Sequence, residues 1–140
     1  MKLIEVETDE EINATCSLMK QLRPHLIEET YLKTIRQLQD EHGYRLIAIF
    51  EDGKAKAAAG FRICSSLAWG KYLYVDDLIT DEQNRSRGFA KLLFDWLDEE
   101  VKKNECAGIH LDSGVHRHDA HRFYLNRKLK ITCHHFEKTY

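Results

Sequence analysis

Residues 83–90 carry the residue types that bind a phosphate group. They read Gln-Asn-Arg-Ser-Arg-Gly-Phe-Ala and lie between a predicted strand and a predicted helix. The first N–H groups of a helix lack intrahelical partners and lie at the positive end of its dipole, so they attract anions. Gly88 lets a ligand approach the backbone closely, and Arg85 and Arg87 add positive charge. The pattern fits a phosphate or pyrophosphate site and an ordinary strand-to-helix turn with two solvated arginines equally well.

Two adjacent carboxylates, Asp76 and Asp77, fall within a predicted strand over residues 71–80. Side chains alternate along a strand, so the two are expected on opposite faces, with Asp76 beside Tyr72 and Tyr74. The residues in phase with Asp77 are aliphatic: Leu73, Val75 and Ile79. Asp76 is therefore the better candidate for a base or for binding a cationic amine, and an ion pair with a residue such as Arg62 is an equal alternative.

Six of the eight histidines lie in the last 31 residues, three of them as His116-x-His118-x-x-His121. This spacing lacks the i, i+4 pair of a helical metal site and has no cysteine close by, so no metal is predicted. His118 or His121 could still carry a proton near neutral pH. Asp112 is a second acidic candidate, for which capping the following turn is the simpler role.

Hydrophobic periodicity predicts the elements that position these residues. The predicted order is one strand, two helices, three strands, and then helix, strand, helix and strand. The predicted strands include 3–6, 44–50, 55–63, 71–80, 108–112 and 129–136, and Asp52-Gly53 is expected to join the second to the third in a hairpin. The first predicted helix starts at Thr8-Asp9-Glu10-Glu11 and carries Ile12, Cys16, Met19 and Leu22 at helical spacing. Two other helices are predicted over 30–41 and 120–127, and the helix after residues 83–90 is expected to have an apolar stripe of Ala90, Leu93, Phe94, Leu97 and Val101. A hairpin run followed by a β-α-β-α-β half predicts an α/β fold in which helices flank a central mixed sheet.

Composition narrows the class of protein. A chain of 140 residues with 43% hydrophobic and 31% charged residues is expected to form a single soluble domain over residues 1–140. The net charge of −2 gives no reason to expect a nucleic-acid partner. No apolar run is long enough to span a membrane, and the start lacks a signal-peptide pattern. The four scattered cysteines are expected to be free thiols in a cytoplasmic protein.

Three segments resemble the GNAT family of N-acetyltransferases. Arg85-x-x-Gly88-x-Ala90 is similar to the R/Q-x-x-G-x-G/A signature, which in that family follows the fourth strand and opens the third helix. Residues 74–79 resemble the fourth strand of the family, and Ala120-His121-Arg122-Phe123-Tyr124 resembles its A-x-x-F/L-Y segment. The matches run from about residue 72 to 131, whereas the amino-terminal half agrees in element order only.

The resemblance implies an acetyl-CoA-dependent N-acetyltransferase that acts on a primary amine. Because the spacing of the residues indicates no Ser-His-Asp or Cys-His arrangement, direct transfer of the acetyl group in a ternary complex is the simpler mechanism. It places the pantetheine arm of the co-substrate along the backbone of Leu78 and Ile79. It places the pyrophosphate on the turn residues Arg85, Ser86, Arg87, Gly88, Phe89 and Ala90. It also makes Tyr124 the general acid that protonates the leaving thiolate.

The chain departs from the family pattern at two places. Arg117 stands where the family often has an asparagine three residues before the alanine, and Lys128-Leu129 stands where it often has Gly-Phe. These departures keep open an alternative function, a catalytically inactive acyl-CoA-binding sensor or assembly module. The acceptor is a small-molecule or protein amine that the sequence does not specify, and a homodimer through a sheet edge fits this architecture.

Overall fold

A computed structural model describes all 140 residues, which form two compact units, residues 1–110 and residues 111–140. The elements are, in chain order, β1 (Lys2–Glu5), α1 (Asp9–Ala14), α2 (Cys16–Leu22), α3 (Glu28–His42), β2 (Arg45–Glu51), β3 (Lys54–Ser66), β4 (Gly70–Thr80), a 3₁₀ turn (Glu82–Asn84), α4 (Phe89–Lys103), β5 (Gly108–Leu111) and α5 (His118–Asn126). No helix combines the length and the apolar character that crossing a membrane requires.

The five strands form one mixed sheet in the order β1-β2-β3-β4-β5. The first four strands are antiparallel neighbours. Asp52 and Gly53 join β2 to β3 with φ of 54° and 73°, the left-handed conformation that the tightest hairpin turns need. The expected α/β fold and its Asp-Gly hairpin are both confirmed.

The first predicted helix begins where expected but is interrupted. Thr8 caps α1 in a capping box with Glu11, as the order of a threonine and three acids indicates. The predicted continuous helix is wrong at Thr15, which separates α1 from α2. The Thr15 hydroxyl lies 2.7 Å from the Ile12 carbonyl oxygen and 2.7 Å from the Tyr31 hydroxyl. A threonine hydroxyl that bonds to the preceding turn competes with the regular helical pattern.

Buried side chains cover both faces of the sheet. Residues of α1, α2 and α3 pack on one face against strand residues such as Leu46, Ala58 and Ile79. On the other face α4 packs against β2, β3 and β4, and its Trp96 meets Phe61 edge to face at 5.8 Å. The predicted apolar stripe of α4 is confirmed, with these members buried: Leu93, Phe94 and Leu97.

A β-bulge changes the phase of β4. Gly60 of β3 lies opposite Asp77, and the next residue, Phe61, lies opposite Val75, so Asp76 is the extra residue. Asp77 and Ile79 consequently share the face covered by α1, α2 and α3, whereas Val75 and Leu73 lie on the α4 face. The expectation that Asp77 shares a face with Leu73 and Val75 is therefore wrong, because strict alternation does not continue through a bulge.

In residues 111–140, α5 confirms the predicted last helix, but the predicted final strand over residues 129–136 does not form. Ile131 and Phe136 are 77% and 91% exposed. An alternating pattern is a local property, whereas a strand also needs a neighbouring strand for its hydrogen bonds. Lys128, which replaces the family glycine, adopts φ of 69°, the left-handed conformation that glycine favours.

Candidate functional site

The turn before α4 presents unpaired backbone N–H groups. Ser86 and Gly88 have φ of 66° and 80°, and the chain enters α4 at Phe89. Gly88 is the N-cap of α4, and no side chain caps the helix. The first-turn N–H groups are thus available to a ligand at the positive end of the helix dipole. Phe89 is only 2% exposed, so its side chain anchors the turn in the core.

The space in front of Gly88 suits a phosphate. A Cβ atom placed on Gly88 would have no atom within 4 Å apart from those of its neighbours in the chain, so the backbone is open on that side. Uncapped helix N–H groups, an open approach and nearby arginines are what the pyrophosphate of an acyl-CoA requires. The residues present therefore fit that group.

The two arginines of the turn have different surroundings. Arg87 donates two hydrogen bonds to the Glu51 carboxylate, at 2.9 and 2.8 Å, and a third to Asn84 Oδ1 at 2.9 Å. Its guanidinium carbon lies 4.7 Å from the centre of the Phe89 ring. Arg85 is exposed and has no hydrogen-bond or ion-pair partner. Arg85 is thus the uncommitted positive charge beside the helix N-terminus.

The last residues of β4 extend beyond its short neighbour. Leu78 and Ile79 pair with Ala59 and Ala58 of β3 on one side. On the other side, β5 has four residues, and the Ala107 N–H that precedes it donates to the carbonyl of Lys71 at the start of β4. A strand of that length reaches only part of the eleven-residue β4, so its far end leaves backbone groups for an added extended chain.

Asp76 is paired with an arginine. Arg62 of β3 donates to both of its carboxylate oxygens, at 2.8 and 2.9 Å, and also lies over the Tyr74 ring at 5.3 Å. The ion pair left open by the sequence is therefore the observed arrangement. Arg62 is in phase with Ala58 along β3, so Asp76 points to the side of α1, α2 and α3 and not opposite to Asp77.

Asp77 belongs to a polar cluster that sequence reasoning missed. Its Oδ2 accepts from the Tyr44 hydroxyl at 2.8 Å, and its Oδ1 accepts from Arg23 Nε at 3.1 Å. Burial, followed by the charge of Asp77, raises the pKa of Tyr44 well above its ordinary value, so the phenol stays protonated and donates. Gly60 was the available signal, since a lone glycine within a strand indicates a bulge or a close approach.

Gly60 makes room for this cluster, which gives a stability prediction. A Cβ at Gly60 would overlap the Tyr44 hydroxyl and ring. Because Tyr44 is 5% exposed and cannot move aside, Gly60→Ala is expected to lower the free energy of unfolding by about 3 kcal/mol in urea titration, the upper range for overpacking. Gly108→Ala is the matched control, since its Cβ would meet His110 at an ordinary 3.5 Å. Equal stability of the two variants would contradict the argument.

An aromatic cluster lies at the start of β4. Trp69 stacks on His110 at 3.8 Å between ring centres, and Tyr72 meets both rings edge to face. Tyr74, two residues after Tyr72, lies instead under Arg62. His110 is the member that only the structure supplies. Trp69 remains 40% exposed, so the cluster presents an aromatic surface.

Residues 111–140 contain the predicted tyrosine. Tyr124 is partly buried on α5, and its ring centre lies 5.7 Å from that of Phe123. Burial raises the pKa of Tyr124, and the positive charge of Arg117 opposes this shift. Arg117, which stands where the family often has an asparagine, thus lowers the pKa of Tyr124 by its charge. Among the other polar residues, His135 Nδ1 pairs with Asp112 at 2.9 Å.

The histidines of residues 111–140 do not form a metal-binding cluster. His121 Nε2 lies 2.8 Å from the carbonyl oxygen of Gly114, and the ring centres of His118 and His121 are 6.3 Å apart. No group of three or more His, Cys, Asp or Glu side chains is arranged to hold a metal ion.

Comparison with known proteins identifies the family. The acetyltransferase (GNAT) family profile matches residues 8–129. The chain belongs to the GNAT family. It is also 32% identical over 123 residues to the Bacillus subtilis (strain 168) protein named "Uncharacterized N-acetyltransferase YhdJ". The matched region covers 88% of this chain and 87% of that protein. This GNAT chain is accordingly an N-acetyltransferase that uses an acyl-CoA, and the family resemblance seen in the sequence is confirmed.

Solved structures confirm the GNAT fold. A putative acetyltransferase from Agrobacterium tumefaciens str. C58 has a TM-score of 0.85 at 20% identity, and each chain is covered completely. Glucosamine-6-phosphate N-acetyltransferase from Arabidopsis thaliana has a TM-score of 0.80 at 18% identity, over 99% of this chain and 97% of that one. Aminoglycoside N-acetyltransferase AAC(6')-Iy, in complex with CoA, has a TM-score of 0.84 at 15% identity, over 99% and 93% of the chains.

Proposed function

We propose that this chain transfers an acetyl group from acetyl-CoA to a primary amine by direct transfer in a ternary complex. The observation that carries the proposal is the uncapped N-terminus of α4, which lies behind an open Gly88 in a chain of the GNAT family. A thioester supplies an activated acetyl group, so the remaining tasks for the protein are to orient the two substrates and to move protons.

The co-substrate is expected to lie along two backbone segments. Its pyrophosphate accepts hydrogen bonds from the amides of residues 85–90, and the exposed Arg85 adds a charge-assisted contact. Its pantetheine arm pairs with the backbone of Leu78 and Ile79, beyond the reach of β5. Neither contact depends on a particular acyl group, so the choice of acetyl is part of the proposal.

Two side chains are assigned to the proton steps. Tyr124 is the general acid for the leaving thiolate, since a phenol is protonated at neutral pH and burial raises the pKa of this one further. Asp76 binds the amine or accepts its proton through water. A carboxylate has about four acceptor positions, and Arg62 uses two of them, so Asp76 can still accept from an ammonium group or a water.

The acceptor is an amine of a small molecule or of a protein, and the aromatic cluster of Trp69, Tyr72 and His110 offers it a surface that suits a cation or a planar group. The protein is proposed to act as one catalytic domain in the cytoplasm. A homodimer is compatible with the sheet edge at β1.

Isothermal titration of the purified chain with acetyl-CoA tests this function, with ATP and free CoA as comparisons. We expect acetyl-CoA to bind at one site per chain and ATP to bind more weakly, because ATP cannot pair with the end of β4. A screen of amines, followed by detection of free thiol, then gives turnover. Absence of acetyl-CoA binding, or stronger binding of ATP, would overturn the proposal.

A further inference from the structure

Arg87 is one member of a continuous hydrogen-bonded chain of side chains, here named the turn ladder. Its members are Gln21, Asp81, Asn84, Arg87 and Glu51. Gln21 donates to Asp81 Oδ1 at 3.1 Å, and Asn84 donates to Asp81 Oδ2 at 2.7 Å. Arg87 then joins Asn84 to Glu51 through bonds of 2.8 to 2.9 Å.

The turn ladder is anchored at both ends in regular structure. Gln21 lies in α2 and also accepts from the Glu82 N–H at 3.1 Å, and Glu51 is the last residue of β2. The residues between these anchors are those that lead the chain from β4 into α4. A single exposed ion pair contributes little, but a bidentate arginine pair within a network is the exception.

A carboxylate beside a phosphate site has two opposite possible effects. As a bare negative charge, Glu51 would repel the pyrophosphate and weaken its binding. As a fixed partner of Arg87, it would hold the turn in the conformation that presents the amides. The hydrogen bond from Arg87 lowers the pKa of Glu51, so the carboxylate is charged at neutral pH in either case.

We propose that Glu51 is a positioning residue of the co-substrate site, which acts through Arg87 to hold residues 84–88 in the conformation that exposes the N–H groups of α4. The side chain of Arg87 is then a structural link, and the phosphate contact of the turn belongs to its backbone and to Arg85. This inference rests on the proposed function for its ligand, whereas the geometry of the turn ladder does not.

Steady-state kinetics with acetyl-CoA test the proposal on Glu51→Gln and Arg87→Gln, singly and together. Each single variant is expected to raise KM for acetyl-CoA about tenfold with kcat within about twofold, and the double variant to match the singles, because the two residues act as one unit. Glu29→Gln is the matched control, since it removes the same charge from an exposed glutamate of α3 that has no hydrogen-bond or ion-pair partner. Tighter binding by Glu51→Gln, or additive effects in the double variant, would overturn it.

Hydrogen–deuterium exchange separates this inference from the proposed function. The turn ladder predicts faster exchange of the Asn84 and Leu92 amides, which donate to the Asp81 and Gly88 carbonyls at 2.8 and 3.2 Å, in Glu51→Gln than in the unchanged chain, with or without acetyl-CoA. Failure of the unchanged chain to bind acetyl-CoA would remove the proposed function alone, and the exchange result would still decide the positioning role. Unchanged exchange would overturn the inference even if acetyl-CoA binds.

Discussion

Gly88→Glu is expected to weaken acetyl-CoA binding by about 100-fold or more, measured by isothermal titration. Two effects combine. The new carboxylate occupies the open space in front of the turn and repels the pyrophosphate. In addition, φ of 80° costs a residue with a side chain about 1 kcal/mol or more, which loosens the turn that presents the amides.

Two variants separate these effects. Gly88→Ala carries the backbone cost without the charge, so it is expected to bind acetyl-CoA only a few times more weakly. Gly43→Glu is the matched control, since Gly43 ends α3 with φ of 67° and has equally open space around it. Binding by Gly88→Glu that equals that of Gly43→Glu would show that the turn does not hold the co-substrate.

Tyr124→Phe is expected to lower kcat by about 100-fold while it leaves the dissociation constant of acetyl-CoA unchanged. The variant removes only the hydroxyl that would protonate the leaving thiolate. Because burial raises the pKa of Tyr124, the phenol keeps its proton as the pH rises from neutral to its ordinary pKa and beyond. The unchanged enzyme should therefore show no loss of rate from this group over that range.

Tyr140→Phe is the matched control, because it deletes the same hydroxyl from a fully exposed tyrosine in residues 111–140. An unchanged kcat in Tyr124→Phe would remove the general-acid role. Loss of acetyl-CoA binding in that variant would instead indicate that the hydroxyl contributes to the binding site or to the structure, in which case its role in proton transfer would have to be abandoned.

The sequence predicted those helix ends and turns that are determined by residues close to one another in the chain. Thr8 and Glu11 start α1, Gly43 ends α3 in the left-handed conformation, and Asp52-Gly53 forms the hairpin turn. Each of these outcomes depends on residues within a few positions of one another, so a pattern rule captures it. The turn before α4 has an equally local signature, within six consecutive residues, and its binding of a phosphate stays a prediction.

The failures have non-local causes. The split between α1 and α2 depends on Tyr31, sixteen positions after Thr15, and the final strand lacked a neighbouring strand. Within the site, Glu51 and Arg87 are 36 positions apart, and Tyr44 and Asp77 are 33 apart. The spacing of such residues in the sequence does not predict a contact, because they are brought together only when the strands pair and the helices pack on the sheet.

The bulge at Asp76 divides β4 into two segments that obey opposite rules of side-chain direction. After it, Asp77 and Ile79 face α1, α2 and α3; before it, Leu73 and Val75 face α4. In evolutionary terms, the presence of this one extra residue determines which face of the sheet each later side chain of β4 occupies. Substitutions along β4 can be accommodated singly, whereas a chain that lost Asp76 would have to exchange, over half a strand at once, the residues that face α1, α2 and α3 with those that face α4.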